Sequence, residues 1–385
     1  MKILIVTPFL PYPGVPHAGG MLVFESVKRL SERHEVCLLS RVEPFEEKHI
    51  EDIRPFCKEL YLYTFKTPPS RNPFSIIFSY IILGLKANRL LKEKGFDLVQ
   101  AEFTETGFAM RRPRIPSVLV AHDVISKPAK RRLDASKGLR EKFFNSLKFR
   151  AIRLVESFIS RKFDRVLVMS GIDRDILVSL DRSIRAEVSP HPLQLDFESD
   201  IESAGRETGT LLFAGAMHRD VNIEAVLHFC GRILPLIREK CPDVKLYIAG
   251  NNPPEAVRRL AESDRNIVVT GFVNDLRGYF LKSTVFVSPL LTGGGIIVKN
   301  LQAMSCGLPV VTTSIGNEGI EAVSGRDLFV ADAPEDFADK VLMLLRDPGL
   351  RREISLNGRG FARERFSDDR LFEGRIKLYE QLLGR

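Results

Sequence analysis

Short apolar runs of four to six residues, rich in Val, Ile and Leu, alternate along this chain with stretches of ten to twenty residues whose apolar positions recur every three to four. The short runs predict strands at 2–7, 35–40, 60–63, 97–102, 117–121 and 165–169. After a polar gap they resume at 210–214, 245–249, 266–270, 284–288, 309–312 and 328–331. Most are continuous rather than alternating, the pattern of parallel strands covered on both faces, and the intervening stretches read as helices. The βαβ rhythm occurs twice, so the fold class expected is α/β with two doubly wound sheets. The gap at 189–209 holds Pro190, Pro192 and five acidic residues with little periodicity. It predicts a domain at 1–190, a linker at 191–208 and a domain at 209–365. The opening run passes straight into a Pro/Gly loop and reads as a strand rather than the apolar region of a signal peptide. The longest apolar stretch, 74–85, is too short to cross a bilayer and reads as a core helix.

The stretch 289–311 is the most informative. It reads Pro289-Leu-Leu-Thr-Gly-Gly-Gly-Ile-Ile-Val-Lys-Asn-Leu-Gln-Ala-Met-Ser-Cys-Gly-Leu-Pro-Val-Val. It predicts a strand, a glycine loop (Gly293, Gly294, Gly295), a helix from Ile296 to Cys306 closed by Gly307, and a second strand from 309. A helix start preceded by glycines offers N–H groups and the positive end of the helix dipole to an anion that can approach closely. Lys299 lies about one turn in, and Gln302 follows on nearly the same face. That surface suits a phosphate-bearing ligand with a polyol beside it.

The segment resembles the donor-site signature of retaining GT-B glycosyltransferases of family 4 (group 1), in the glycine-rich branch, and the resemblance extends over nearly the whole chain. It implies two Rossmann-like domains facing a central cleft, the second binding a nucleotide diphosphate sugar and the first an acceptor, with 366–385 packing back on the first. The wider family's Glu-x7-Glu pair is replaced here by Gly294 and Gln302.

Further loops take on roles by the same resemblance. Gly215-Ala-Met-His-Arg-Asp220 precedes a helix whose expected N-cap is Asn222. Relatives clamp the diphosphate here with an Arg and a Lys; this chain has Ala216 and Val221 in those places, so His218 and Arg219 are the candidate charges, unless the loop is simply solvated. Asn251, in Gly250-Asn-Asn-Pro253, and Phe272 and Val273, in the turn 271–275, match base-binding elements. Glu318 matches a loop bordering the donor, or caps a turn. Gly19 and Gly20 match the loop ahead of a helix expected at about 21–32, and His122-Asp123 matches a His-Asp step opposite the donor sugar. The implied catalytic residues are therefore His122, Asp123 and Lys299. The reaction is sugar transfer to an acceptor hydroxyl with retention, on a cell-envelope glycan or lipid-linked acceptor. No metal and no cofactor are implied, with a UDP- or GDP-sugar as co-substrate. Two other readings fit the same residues: a nucleotide-sugar epimerase of GT-B shape, and a catalytically silent nucleotide-sugar-binding protein, suggested by Gln302 and the absent clamp.

Composition changes the picture at three points. Five cysteines without paired spacing, each in or beside an apolar run, read as buried thiols of a reducing compartment, and there is no zinc-type spacing. Asp173-Arg-Asp175 spells the D-x-D of metal-dependent transferases of another fold, but carboxylates at a helix start also complement the helix dipole. Charge is local: 127–165 holds thirteen Lys/Arg against four Asp/Glu, net +9, while the whole chain carries +8, so the remainder sums to −1. Phe143, Phe144, Leu147, Phe149, Ile152, Leu154, Val155, Phe158 and Ile159 interleave with that charge. The segment reads as a basic amphipathic helix at an anionic membrane surface, or as a solvated helix face, and not as a nucleic-acid platform. The expected location is the cytoplasm, with the basic segment allowing a peripheral position on the inner face of the membrane.

Overall fold

The computed structural model describes residues 1–15, 18–64, 73–190, 205–273, 275–293, 295–366 and 368–384. Gly294 and the part of the expected linker at 191–204 lie outside the described residues. The chain forms two compact units, Met1–Leu193 with Asp368–Arg385, and Gln194–Ser367.

The first unit is built on β1 (Lys2–Thr7), β2 (Glu35–Val42), β3 (Glu59–Thr64), β4 (Leu98–Glu102), β5 (Ser117–Ala121), β6 (Arg165–Val168) and β7 (Ala186–Val188). They form one parallel sheet in the order β3-β2-β1-β4-β5-β6-β7. Its central strands are apolar on both faces because helices cover both. Ile3, Leu4, Ile5 and Val6 of β1 are all fully buried, each contributing about 1.5–3 kcal/mol by leaving water. β7 is a strand that the apolar pattern did not predict. It lies at the sheet edge, where Ala186–Val188 is partly exposed and needs no apolar run.

The second unit holds β8 (Thr210–Ala214), β9 (Lys245–Ala249), β10 (Ile267–Gly271), β11 (Val285–Ser288), β12 (Val310–Thr312) and β13 (Phe329–Val330), parallel and ordered β10-β9-β8-β11-β12-β13. In each sheet the strand order reverses at one place, β1/β4 in the first and β8/β11 in the second. Loops at the carboxyl ends diverge there and leave a crevice in which ligands of doubly wound sheets bind.

Residues 206 and 207, expected in the linker, are anchored in the second unit. The Arg206 guanidinium donates to the carbonyls of Phe280 and Ser283 (3.1 and 2.7 Å) and of Cys306 and Gly307 (3.1 and 2.9 Å). It thereby satisfies orphan carbonyls at the ends of the helices Arg277–Lys282 and Val298–Ser305. The final helix, Asp368–Leu382, belongs to the first unit, where Tyr379 is fully buried and donates to Gln100 Oε1. The stretch at 74–85 lies in the helix Pro73–Glu93, and among the described residues no helix is long and apolar enough to cross a membrane. All five cysteines are free thiols, and burial pushes Cys57, Cys230 and Cys306 up to about 12.

Candidate functional site

The glycine loop follows β11 at the crevice of the second sheet. Gly293 and Gly295 have φ of +131° and +71°, values an L side chain rarely adopts, which is why glycine stands at both. The helix after them is Val298–Ser305, two residues later than the sequence predicted. Ile296 therefore lies in the loop rather than the helix, because the β-branched Ile296 and Ile297 stay outside helical geometry, with Ile297 as N-cap at φ −84°, ψ 88°. No side chain caps this N-terminus.

Lys299 sits in the first turn, half-buried, with desolvation lowering its pKa. Among the described residues no carboxylate pairs with its ammonium. Gln302, one turn on, is also half-buried, and its Oε1 is enclosed without a hydrogen-bond donor among the described residues. An unpartnered cation beside an unpartnered acceptor is the polarity that a phosphate next to a hydroxyl requires.

Buried polar side chains hold this helix in place. Fully buried Asn300 donates to Gly316 O (3.0 Å) and Thr312 Oγ1 (3.2 Å). Thr312 Oγ1 donates in turn to Ser288 O at 2.9 Å, and Thr313 Oγ1 to Leu290 O at 2.6 Å. These bonds tie the ends of β11 and β12 to the helix. The turn carrying Glu318 packs directly on the loop: a Cβ at Gly319 would lie 2.5 Å from Gly295 O and 2.8 Å from Ile296 N. The fold thus brings Glu318, Gly295, Ile296, Lys299 and Gln302 to one neighbourhood.

The loops after β8, β9 and β10 are knitted to each other. Gly215 N donates to Ala249 O (2.9 Å), Met217 N to Asn251 O (3.0 Å) and Gly250 N to Gly271 O (3.2 Å). A Cβ at Gly250 would overlap the Gly215 carbonyl, so glycine there is required by close backbone approach. Thr292 Oγ1 donates to Glu224 Oε2 at 3.2 Å, linking the glycine loop to the helix Asp220–His228. Gly215, His218, Arg219, Asn251, Phe272 and Val273 consequently share the carboxyl end of the sheet with the glycine loop. His218 and Arg219 are exposed there. Phe272 is 72% exposed, a large apolar face presented at the end of β10. Asn222 is not the N-cap that the sequence suggested. Arg219 holds that position, and Asn222, inside the first turn, reaches back to Ala216 O at 2.8 Å, bracing the loop.

In the first unit, His122 follows β5 and Glu102 ends β4, so parallel pairing puts the two strand ends side by side. His122 Nε2 lies 2.8 Å from Glu102 Oε2. A carboxylate only accepts, so Nε2, the ring nitrogen facing Glu102, is the donor. Glu102 also accepts from Gln100 Nε2. The His122 ring stacks on Phe103 at 3.8 Å between centroids, the planes 7° apart. Phe103 itself is held at φ +67°, a strained conformation costing about 1–3 kcal/mol at the end of the strand beside the crevice. Asp123, next along the chain, keeps solvent-accessible surface, yet desolvation raises its pKa; Asp173 and Glu105 add to that, while His122 and Lys127 oppose it.

The Ser126–Asp134 helix directly after this step is pinned at its start. Glu156, fully buried, accepts from Ile125 N (2.6 Å) and Ser126 N (3.2 Å). Lys127 forms a buried ion pair with Asp173 at 2.7 Å, and Asp173 is further bonded by Ser170 Oγ at 2.8 Å, so the first carboxylate of the D-x-D is engaged within the fold. Gly19 and Gly20 are not in a loop. The helix Ala18–Ser31 starts before them and they form its first turn, after β1 at the crevice.

Sequence reasoning missed Glu102, Gln100, Asn300 and Thr313. A Glu at a strand end and an Asn within a helix look ordinary until the partner strand or turn is known. A depression of about 470 Å³ lined by Lys2, Arg33, His34 and Asp97 lies at the amino end of the first sheet, opposite the loops described here.

Comparison with known proteins bears on family and fold. The family model for glycosyltransferase family 4 matches residues 19–197, and that for glycosyl transferases group 1 matches 208–347. An uncharacterized 44.6 kDa protein in the cps region of Klebsiella pneumoniae is 23% identical over 98% of this chain and 99% of its own. The capsular polysaccharide biosynthesis glycosyltransferase CapM of Staphylococcus aureus is 25% identical over 43% of this chain and 48% of its own. Among solved structures, sucrose-phosphate synthase from Thermosynechococcus elongatus superposes with a TM-score of 0.77 at 16% identity, covering 100% of this chain and 99% of that one. Anabaena HepE in complex with UDP superposes with a TM-score of 0.70 at 14% identity, covering 99% and 100%. Two parallel doubly wound sheets, a glycine loop leading into an uncapped helix with a lone lysine, and family models matched in both halves lead to one assignment: the chain belongs to the group 1 glycosyltransferases of GT-B fold.

Proposed function

We propose that this glycosyltransferase moves a hexose or similar sugar from a UDP- or GDP-sugar to an acceptor hydroxyl, with retention of configuration and without a metal. The acceptor proposed is a cell-envelope glycan or its lipid-linked precursor. The observation that carries the reading is Lys299: a half-buried ammonium without a carboxylate partner among the described residues, in the first turn of an uncapped helix beneath Gly293 and Gly295. A diphosphate supplies the missing counter-charge. As the bond from the anomeric carbon to the diphosphate oxygen breaks, charge develops on the leaving group, where the ammonium and the helix amides stabilise it. The acceptor oxygen then bonds to the same carbon on the same face, and its proton passes to the departing diphosphate. His122, oriented by Glu102, positions the sugar, and Asp123 stands beside it. Gln302 accepts from a ribose hydroxyl, the exposed face of Phe272 and the backbone at Val273 meet the base, and Gly19 and Gly20 admit the ligand to the first turn of their helix.

HepE has been solved with UDP and with UDP-glucose, and CapM is named for capsular polysaccharide synthesis; both favour a nucleotide-sugar donor and an envelope glycan. Calorimetric titration with UDP, GDP and ADP, followed by labelled sugar transfer from the matching donor, tests the reading. One nucleoside diphosphate should bind, and its sugar should move only with acceptor present. Binding of none removes the donor site, and product formation without acceptor would favour an epimerase.

A further inference from the structure

The helix Leu139–Ser160 points an apolar stripe at solvent. Leu139, Phe143, Leu147, Leu154 and Phe158 follow the i, i+4, i+8, i+15, i+19 progression that keeps residues on one face of a helix. All five are exposed, from 55% at Phe158 to 89% at Leu139, and Phe144 and Val155 flank them. The opposite face is the one that packs: Glu156 and Ile159 are buried, with Phe149 and Ile152 half-buried. The structure therefore divides the apolar residues of 139–160 into two groups, and the larger side chains of one are exposed. At about 1.5 Å rise per residue, the stripe from Leu139 to Phe158 runs about 28 Å along a straight line. Scattered exposed leucines are ordinary, but an aligned row with two phenylalanines marks an interaction surface.

The charge on and beside the stripe selects the partner. Arg140 and Arg150 project from the same face, and Lys142 and Lys148 flank it. Among the described residues none of the four has a carboxylate partner, although other cations nearby do, Lys130 with Asp134 and Arg161 with Asp181. A straight apolar row flanked by cations fits a flat anionic surface. A second copy of this chain would bring two faces of the same sign together, and a nucleic acid would have to cover the central apolar row without gain.

We propose that the outward face of the Leu139–Ser160 helix docks on an anionic phospholipid bilayer, the apolar row entering the headgroup boundary and Arg140, Lys142, Lys148 and Arg150 meeting lipid phosphates. The inference goes beyond sugar transfer and does not depend on it. Glu156, on the inner face of the same helix, grips the backbone two and three residues after Asp123, so the docked helix is tied to the His122-Asp123 step.

Flotation of the full chain with phosphatidylcholine vesicles, with and without phosphatidylglycerol, tests this. Binding to the anionic vesicles at low salt, released as salt rises and absent from neutral ones, is expected. The variant Phe143→Ser/Leu147→Ser/Leu154→Ser should lose affinity at least about tenfold, and Arg140→Gln/Lys142→Gln/Lys148→Gln/Arg150→Gln at least about a hundredfold. Because all seven side chains face or border solvent, melting temperature and nucleoside diphosphate affinity should be unchanged in both, which separates loss of docking from loss of fold or of the donor site. Equal binding to neutral vesicles, no binding to either, or variants that float like the parent would overturn the proposal. So would vesicle-free self-association or RNA binding that the same substitutions abolish.

Discussion

His122 Nε2 lies 2.8 Å from Glu102 Oε2, and the pair is almost wholly enclosed, His122 being 8% exposed and Glu102 not at all. Glu102 is held in turn by Gln100, and Gln100 by the hydroxyl of Tyr379, so a line of buried hydrogen bonds runs from the end of β5 to the last helix of the same unit. Such a line fixes the ring plane and tautomer of His122, as a buried carboxylate commonly does for a working histidine.

Replacing Glu102 by Gln keeps its volume and removes its charge. If His122 positions the sugar, Glu102→Gln should lower transfer about tenfold or more while nucleoside diphosphate affinity stays within about twofold. Tyr379→Phe, at the far end of the line, should cost about 0.5–1.5 kcal/mol of stability and leave transfer nearly intact. Equal losses of transfer and nucleotide affinity in Glu102→Gln would assign the pair a purely structural role.

Desolvation lowers the pKa of Lys299, which gives its contribution a definite sign. The folded chain without ligand gives up this proton more readily than the unfolded one, so charged Lys299 costs stability at neutral pH. That cost is relieved as pH rises through the lowered pKa towards the ordinary lysine value. Lys299→Met should therefore be the more stable protein at neutral pH, its advantage shrinking under alkali. It should also lose about 1.5–3 kcal/mol of nucleoside diphosphate affinity. A bound diphosphate raises the lysine pKa again, so binding at alkaline pH should take up protons in the parent and not in the variant. Calorimetry in two buffers of different ionisation enthalpy reads this directly, and unchanged affinity would remove Lys299 from the site.

Gln302 presents a buried carbonyl oxygen without a donor among the described residues, where a carboxylate would accept more strongly. Gln302→Glu should tighten donor binding several-fold and raise transfer, because hydrogen bonds to charged acceptors contribute about 1.5–3 kcal/mol against roughly 1 for neutral ones. Side-by-side titrations decide it. No change in affinity would mean that Gln302 does not touch the ribose, and transfer found only in the variant would mark the native chain as a silent binder.

The close approach at Gly250 predicts a stability effect free of any assumption about chemistry. Gly250→Ala sets a methyl against the Gly215 carbonyl and should cost about 1–3 kcal/mol, with weaker nucleotide binding as the knitted loops shift. Gly231→Ala, in a helical turn with nothing within 4 Å of the added carbon, should be neutral or stabilising by up to about 1 kcal/mol. Denaturant melts of the two variants make the comparison, and a Gly250→Ala protein as stable as the parent would contradict the packing described.

How much of this was legible beforehand follows from what each feature depends on. Buried parallel strands need continuous apolar runs, so β1, β5, β8 and β9 could be placed to the residue from the sequence, whereas β7, an exposed edge with no such need, could not. The glycine loop was equally legible, since positive φ at Gly293 and Gly295 is a local demand that only glycine meets easily. Helix starts were less so: with Ala18, Gly19 and Gly20 ahead of Met21, and Ile296 and Ile297 ahead of Val298, local propensity alone does not set the first turn. Partnership was decided wholly by the tertiary structure. Glu102 meets His122 because β4 pairs with β5, Asn300 meets Gly316 because a helix lies back across two strand ends, and Gly319 reaches Gly295 through a turn folded onto the loop. The sequence also placed nine apolar residues on the basic helix without saying which faced the core. Two faces of comparable hydrophobicity cannot be ranked by periodicity, and only packing against the rest of the unit determined which one was left to the solvent.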